Sequence, residues 1–440
     1  MKKIYLSVLS GVLMLGAAAD ASAQCFGGRY HNYVFPTHTL TSNVQYGSNV
    51  KHNNTNFNLM LDIYEPQGDA AQNRALVIVA HGGSFVGGSK TGSDVVQLCK
   101  DLAKLGYVAA SIEYRTGMTH FPVGGPPDST DAGAAVMRAV HDGRAAVRFF
   151  RKNHAVGGNT YRIDPNNIYF AGVSAGGFIA LHIAYMDQLS EFPAYVDTTG
   201  TGTNPQHGLH GGIEGLSGNP GYSSDVKGVI NLCGALGDTA WMQPGDEPVL
   251  NMHGNNDNTA PYGSEVIYLL GTYPLLVVDG SESIAMRADN IGLSHCFKTY
   301  YNQDHVPHVG TSANNLAQYD TTIVYMRNFL EYYTCGTPSL VCSYNGPIQM
   351  IPLGVEQAET TEQFSVFPNP AESTFTLDLS AFSGKNVRMD IFDVLGKNVK
   401  SMTSINQDRI TLSRDGLSNG MYMIRITTEE KQFSRKISLK

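Results

Sequence analysis

The stretch Ile168-Tyr169-Phe170-Ala171-Gly172-Val173-Ser174-Ala175-Gly176 constrains this chain more than any other. Its apolar run is too continuous for a half-exposed strand and reads as a strand buried on both faces of a sheet. The run passes through a G-x-S-x-G turn directly into an apolar helix predicted to reach about Gln188. So abrupt a strand-to-helix turn forces the serine backbone into a strained geometry, with Gly172 and Gly176 leaving room for neighbouring chain. A serine hydroxyl is a poor nucleophile until a base is brought to it, and a turn of this kind presents the oxygen for that purpose. The five-residue pattern alone is of moderate specificity, because glycine, alanine and serine are common.

The flanking sequence supplies a sheet for that strand. Leu59 to Tyr64 alternates in period two and ends at Pro66, and Ala75 to Ala80 is a second continuous apolar run. Val95, Leu98, Cys99, Leu102 and Leu105 recur at helical spacing until Gly106 stops them. Tyr107 to Tyr114 reads as a strand and the alanine-rich Asp131 to Asn153 as a helix. Strand-like runs follow at Val226–Cys233, Pro248–Met252 and Cys296–Tyr301, and a last helix is expected from Ser312 to Tyr333. This alternation predicts an α/β fold, a mostly parallel sheet with helices on both faces. Thr198 to Ser224 breaks the rhythm: it is rich in Gly, Asn and Thr, and is either a surface loop or a lid over the site.

A chain of 440 residues suits two domains rather than one. The aperiodic, Pro- and Gly-containing stretch 344–361 reads as a linker between a catalytic domain at 24–343 and a smaller one at 362–440. In the latter, short alternating strands are predicted at Phe364–Phe367, Thr374–Leu379, Val387–Phe392, Arg409–Leu412, Met421–Thr427 and Phe433–Leu439. Turn signals between them point to a small all-β sandwich.

The first residues indicate export. Lys2 and Lys3 precede the apolar Ile4 to Ala19, and Ala21-Ser22-Ala23 offers a signal-peptidase site, so 1–23 reads as a signal peptide. The apolar run is shorter than the ~20 residues a membrane span needs, and no later stretch qualifies. Among six cysteines, Cys335 and Cys342 flank a short loop and are expected to pair. Cys25, Cys99, Cys233 and Cys296 are scattered, with Cys99 and Cys233 placed as buried thiols. A net charge of −8 gives no basic field for nucleic acid. No cysteine or histidine spacing resembles a zinc site, and no cofactor motif is present.

Three further segments complete a candidate site. His81-Gly82-Gly83-Ser84-Phe85 follows the strand ending at Ala80; its amides, with that of Ala175, are placed to face an oxyanion, and His81 to brace the loop. Asp257 lies in the loop after Pro248–Met252 and is the candidate acid, with Asp238 and Asp246 as weaker alternatives and Asp304 poorly placed. Tyr301 to His308 follows the last strand and contains the base; His305 and His308 both qualify, and His305 stands nearer the strand. His253 and His295 read as structural or incidental, and Asp142 in the helix before the elbow strand as structural.

The order of His81-Gly82-Gly83, Gly172-x-Ser174-x-Gly176, Asp257 and His305 resembles the α/β-hydrolase esterase and lipase family over about Tyr30 to Tyr333. The resemblance implies a three-layer α/β-hydrolase sandwich, Ser174 as nucleophile, His305 as general base and Asp257 as the acid orienting it. It also implies oxyanion amides from Gly83, Ser84 and Ala175; Ser84 departs from the third glycine often found there. The activity implied is hydrolysis of short acyl or carbohydrate-linked esters, acetyl or feruloyl. A prolyl-oligopeptidase-type serine peptidase and a non-catalytic surface protein on the same fold are the alternatives. The tail motifs Phe367-Pro368-Asn369-Pro370, Ile391 to Gly396 and Leu417 to Tyr422 resemble the C-terminal sorting domain of type IX secretion substrates. That resemblance implies passage through the type IX machinery to the medium or the cell surface.

Overall fold

A computed structural model describes residues 25–122, 125–199, 207–351, 364–394, 397–414, 416–428 and 432–440. The predicted signal peptide at 1–23, residues 352–361 of the predicted linker and the Leu395-Gly396 part of one tail motif lie outside the described residues. The chain forms two compact units, Met1–Leu353 and Gly354–Lys440.

The first unit is built on an eight-stranded sheet. Its strands are β1 (His38–Val50), β2 (Asn56–Pro66), β3 (Arg74–Ala80), β4 (Val108–Ile112), β5 (Ile163–Val173), β6 (Gly228–Leu232), β7 (Val249–Gly254) and, later in the chain, β10 (His295–Tyr300). They lie in the order β1-β2-β4-β3-β5-β6-β7-β10, antiparallel at the β1-β2-β4 edge and parallel from β4 onward. The central strands are apolar on both faces because helices cover both. β3 and β4 are buried along their whole length. Leu76, Ile78 and Ala80 join the core under α2 (Ser129–Val156) and α3 (Ala175–Tyr185), whereas Ala75, Val77 and Val79 join the core on the opposite face under α1 (Ser93–Leu105) and α5 (Ala313–Cys335).

Several elements of this unit, helix α4 (Ser281–Ile291) among them, were not marked in the sequence. Between β7 and α4 (Ser281–Ile291) the chain forms an antiparallel hairpin of β8 (Ser264–Leu269) and β9 (Tyr273–Asp279), separate from the main sheet. The edge strand β1 was also unmarked; its residues are mostly exposed, so it carries no apolar run.

The predicted pairing of Cys335 with Cys342 is incorrect. Cys25 pairs with Cys335 at a Cα separation of 5.8 Å, and Cys296 with Cys342 at 5.3 Å. Cys335 is the last residue of α5, and Gly336 adopts the left-handed conformation that turns the chain away. The chain then returns along β10, where Cys342 meets Cys296 and Cys335 is left to the N-terminal segment. Closeness in sequence did not become closeness in space. Cys99 and Cys233 are buried free thiols, and burial pushes the Cys233 thiol up to about 12.

The second unit contains β11 (Ser365–Phe367), β12 (Thr374–Asp378), β13 (Val387–Phe392), β14 (Asn398–Ile405), β15 (Arg409–Ser413), β16 (Gly420–Thr427) and β17 (Gln432–Leu439). A three-stranded sheet β11-β12-β15 and a four-stranded sheet β14-β13-β16-β17 enclose one core, including Phe375, Leu377, Met389, Ile391, Ile424 and Ile437. Alternate residues face that core, which is why period-two patterning was readable here. No helix among the described residues is long and apolar enough to cross a membrane.

Candidate active site

Ser174 sits between the last residue of β5 and the first of α3, at φ 53° and ψ −116°. This is a left-handed φ that a non-glycine residue adopts only at a cost of order 1–3 kcal/mol, and packing must hold it there. The packing is visible: a Cβ on Gly172 would strike the Gly176 backbone, and one on Gly176 would strike Ala80. The strands and helix therefore approach as closely as they do only with glycine at both positions.

The side chains named from the sequence converge on this turn. His305 Nε2 lies 2.8 Å from Ser174 Oγ, and His305 Nδ1 lies 2.6 Å from Asp257 Oδ2. Asp257 Oδ1 accepts the amides of Thr259 and Ala260 at 2.8 and 2.9 Å. Burial alone would raise the Asp257 pKa, but hydrogen bonds from His253 and His305 outweigh it and hold the carboxyl well below its usual range. An ionised carboxylate only accepts, so His305 Nδ1 must donate to it, leaving Nε2 as the acceptor for the serine hydroxyl.

The alternatives take no part in this series. Neither ring nitrogen of the buried His308 has a hydrogen-bond partner among the described residues, and burial first, then the neighbouring His305, lowers its pKa to about 4. Asp238 caps the short helix Thr239–Trp241, and Asp246 accepts the Gln243 amide. Asp304 accepts the amides of both Asn258 and His305, at 3.0 and 2.7 Å, and so ties the acid's loop to the base's loop.

His253, read from the sequence as structural, makes a second contact with the acid. Its Nε2 is 3.0 Å from Asp257 Oδ2, and its Nδ1 is 2.8 Å from Ser281 Oγ, which accepts from Asn231 Nδ2 at 3.1 Å. The directions follow from the carboxylate: His253 Nε2 donates to it, so Nδ1 accepts from the Ser281 hydroxyl. A hydrogen-bonded series thus runs Asn231, Ser281, His253, Asp257, His305, Ser174. The one hint in the sequence was an asparagine in an otherwise apolar strand, Val229-Ile230-Asn231-Leu232.

The loop after β3 faces the same turn. Gly83, Ser84 and Phe85 all have positive φ, at 120°, 52° and 61°. Asp94 Oδ2 accepts the Gly82 amide at 2.8 Å, and the His81 ring stacks on Tyr114 with centroids 4.2 Å apart, so the loop is braced from both sides. Among the described residues none accepts a hydrogen bond from the amides of Gly83, Ser84 or Ala175. Asp142 is buried away from this centre; it binds Arg115 through backbone and guanidinium and accepts from Ser217 Oγ at 2.6 Å.

Beside Ser174 is a cavity of about 550 Å³, open mouth included. Ser84 and Phe85 border it from the loop, Ala132 and Val136 from α2, and Ala175 and Phe178 from α3. Its remaining wall is largely the β8-β9 hairpin, through Ile267, Leu269, Leu275, Leu276 and Val278. None of residues 207–224 borders it; that stretch is fastened instead to α2.

Sheet order, elbow and cavity define the class, an α/β-hydrolase. Residues 61–209 match the family model BD-FAE, and residues 365–440 match the secretion system C-terminal sorting domain. By the first match the chain is a carboxylic ester hydrolase similar to that family over residues 61–209, and by the second its sorting domain marks it for secretion or the cell surface. Solved structures similar to it include esterase 2 of Thermogutta terrifontis phosphoramylated by tabun, at 19% identity and TM-score 0.47, covering 69% of this chain and 98% of that one. The propionate-bound form of that esterase is similar at 19% identity and TM-score 0.45, covering 69% and 97%. A truncated carbohydrate esterase from gut microbiota is similar at 20% identity and TM-score 0.43, covering 67% and 96%. No curated protein matches the chain.

Proposed function

We propose that the chain hydrolyses short acyl or carbohydrate-linked esters, acetyl and feruloyl among them, by acyl transfer to Ser174. The observation that carries this reading is the unbroken line from Ser174 Oγ through His305 to Asp257, at 2.8 and 2.6 Å. His305 Nε2 takes the serine proton as Oγ attacks the ester carbonyl. Asp257 keeps the imidazole in the tautomer that accepts at Nε2 and stabilises the imidazolium that forms. His253 positions Asp257 from the side opposite His305. The amides of Gly83, Ser84 and Ala175 receive the developing oxyanion, each well-placed donor contributing about 2.7–4 kcal/mol to the transition state. His305 then returns the proton to the leaving alcohol, and water, activated by the same imidazole, releases the acid.

Ser174→Ala is expected to lower turnover of nitrophenyl esters by about 10⁴-fold or more with an unchanged melting transition. Retained turnover would sink the proposal. His305→Ala is expected to be far more damaging than His308→Ala, and the reverse ranking would move the base to His308.

A further inference from the structure

We infer that Asn315 is a positioning residue for the base: by holding the Pro307 carbonyl it keeps Val306 in a left-handed backbone conformation, and that conformation aims His305 at Ser174. The inference rests on the reading of His305 as general base and adds the group that fixes its loop.

The strain is confined to one residue. Val306 has φ 44°, and two features oppose this value. Its side chain is branched at Cβ, which makes a positive φ a true outlier. It also precedes Pro307, whose ring favours extended backbone in the residue before it. The other left-handed residues of the loop 301–310 are Asn302 at 57° and Gly310 at 136°, types that take such angles readily. A conformation like that of Val306 persists only where its surroundings over-determine it.

The loop is tied on both sides of His305. Before it, Asp304 Oδ1 accepts the amides of His305 and Asn258, and the Asn256 amide donates to the Gln303 carbonyl at 3.0 Å. Beyond it, the Val309 amide donates to the Val306 carbonyl at 3.0 Å, closing a turn around the buried Pro307 and His308. Asn315, in the first turn of α5, donates from Nδ2 to the Pro307 carbonyl at 2.9 Å. Asn315 is itself fixed. The Ser312 hydroxyl accepts its amide at 3.1 Å, and a Cβ on Gly310 would stand 2.5 Å from its side-chain oxygen. The Val306 side chain packs against the core under α5, which favours a large residue there and leaves the backbone angle to be held by the turn and Asn315. Without the Asn315 bond Val306 relaxes toward extended backbone, and its immediate neighbour is the base. A misplacement of about 1 Å costs catalysis about a hundredfold.

The test measures kcat and KM on nitrophenyl acetate for the full chain, for Asn315→Ala and Asn315→Asp, and for Val306→Gly with and without Asn315→Ala. Asn315→Ala is expected to lower kcat about tenfold or more with KM within about threefold, because substrate still binds but meets a misplaced base. The urea midpoint should hold, since alanine is a good helix former at this half-buried position. Asn315→Asp keeps the shape and suits a helix N-terminus but cannot donate, so it is expected to match Asn315→Ala. Glycine at 306 takes a positive φ freely, so in the Val306→Gly background Asn315→Ala is expected to cost kcat less than about threefold. A smaller fall in Asn315→Ala, full activity in Asn315→Asp, or equal falls in the two backgrounds would overturn the inference. His305→Ala, run alongside, separates the two levels. Turnover retained there removes the base reading and this inference with it, whereas turnover lost there but kept in Asn315→Ala removes the positioning role alone.

Discussion

The stretch from Asn219 back to His207 and the hairpin from Ser264 to Asp279 are both excursions from the main sheet, and they are built from opposite materials. The first is glycine-rich and polar, the composition that suggested a lid; it is fastened down. Arg115 donates to the carbonyls of Gly208 and Val50, Arg138 to His207, and Arg148 to Gly218 and Glu214, all three guanidinium groups buried. Gly215 lies so close to His141 that a Cβ would enter the imidazole ring. The hairpin has ordinary strand composition, yet it borders the cavity beside Ser174. Long irregular sequence advertises mobility, but a buried row of arginines converts it into fixed structure. The segment that turns an apolar face to the cavity beside Ser174 is the hairpin.

If that contrast is right, the two excursions fail differently. Asp142→Ala leaves Arg115 buried without its carboxylate and is expected to destabilise the catalytic unit by roughly 3–5 kcal/mol in urea unfolding, the largest stability effect anticipated. A loss below about 1 kcal/mol would mean the glycine-rich stretch is not held from this pair. Next comes acid. Asp257, whose amide contact with Ala260 anchors the approach to the hairpin, has its folded-state pKa depressed below the ordinary 3.8. A depressed carboxyl contributes stability that is complete above the unfolded value and is lost as pH falls through the folded one. The stability gap between the wild type and Asp257→Asn should therefore close as pH drops below about 3.8, and a gap that widens in acid would contradict the assignment.

Smaller effects sharpen the comparison. Glu214 pairs with Arg144 and Arg148 but is half exposed, so Glu214→Gln is expected to cost about 1 kcal/mol or less by thermal melting. Smallest is Val277→Ser on the outer face of the hairpin, where the side chain is 57% exposed. Stability should change by about 0.5 kcal/mol or less, with ester turnover intact. A fall in turnover from this outward position would show that the hairpin moves rather than stands as a wall.

Legibility followed periodicity. Strands buried on both faces, such as Leu76 to Ala80 and Ile168 to Gly172, announced themselves as apolar runs, and α1 ended where Gly106 said it would. The strand β14 in the sorting domain was missed because five of its eight residues are exposed or half-exposed polar ones, leaving little alternation to read. The hairpin was missed for another reason: Val266-Ile267-Tyr268-Leu269-Leu270 belongs to a small two-stranded ribbon, and nothing local says which face meets a cavity. His253 looked incidental because a histidine's partners are set by where β7 ends relative to β10 and α4.

The sequence by itself determined the α/β alternation, the turn at Ser174, the glycine loop after Ala80 and the sorting tail, because each is written in residues close along the chain. Only the tertiary structure decided which cysteines meet, that His253 braces Asp257, that the glycine-rich stretch is clamped, and that the hairpin walls the cavity. Those outcomes depend on distances between residues far apart in sequence, and such distances exist only after the sheet has set the order of its strands.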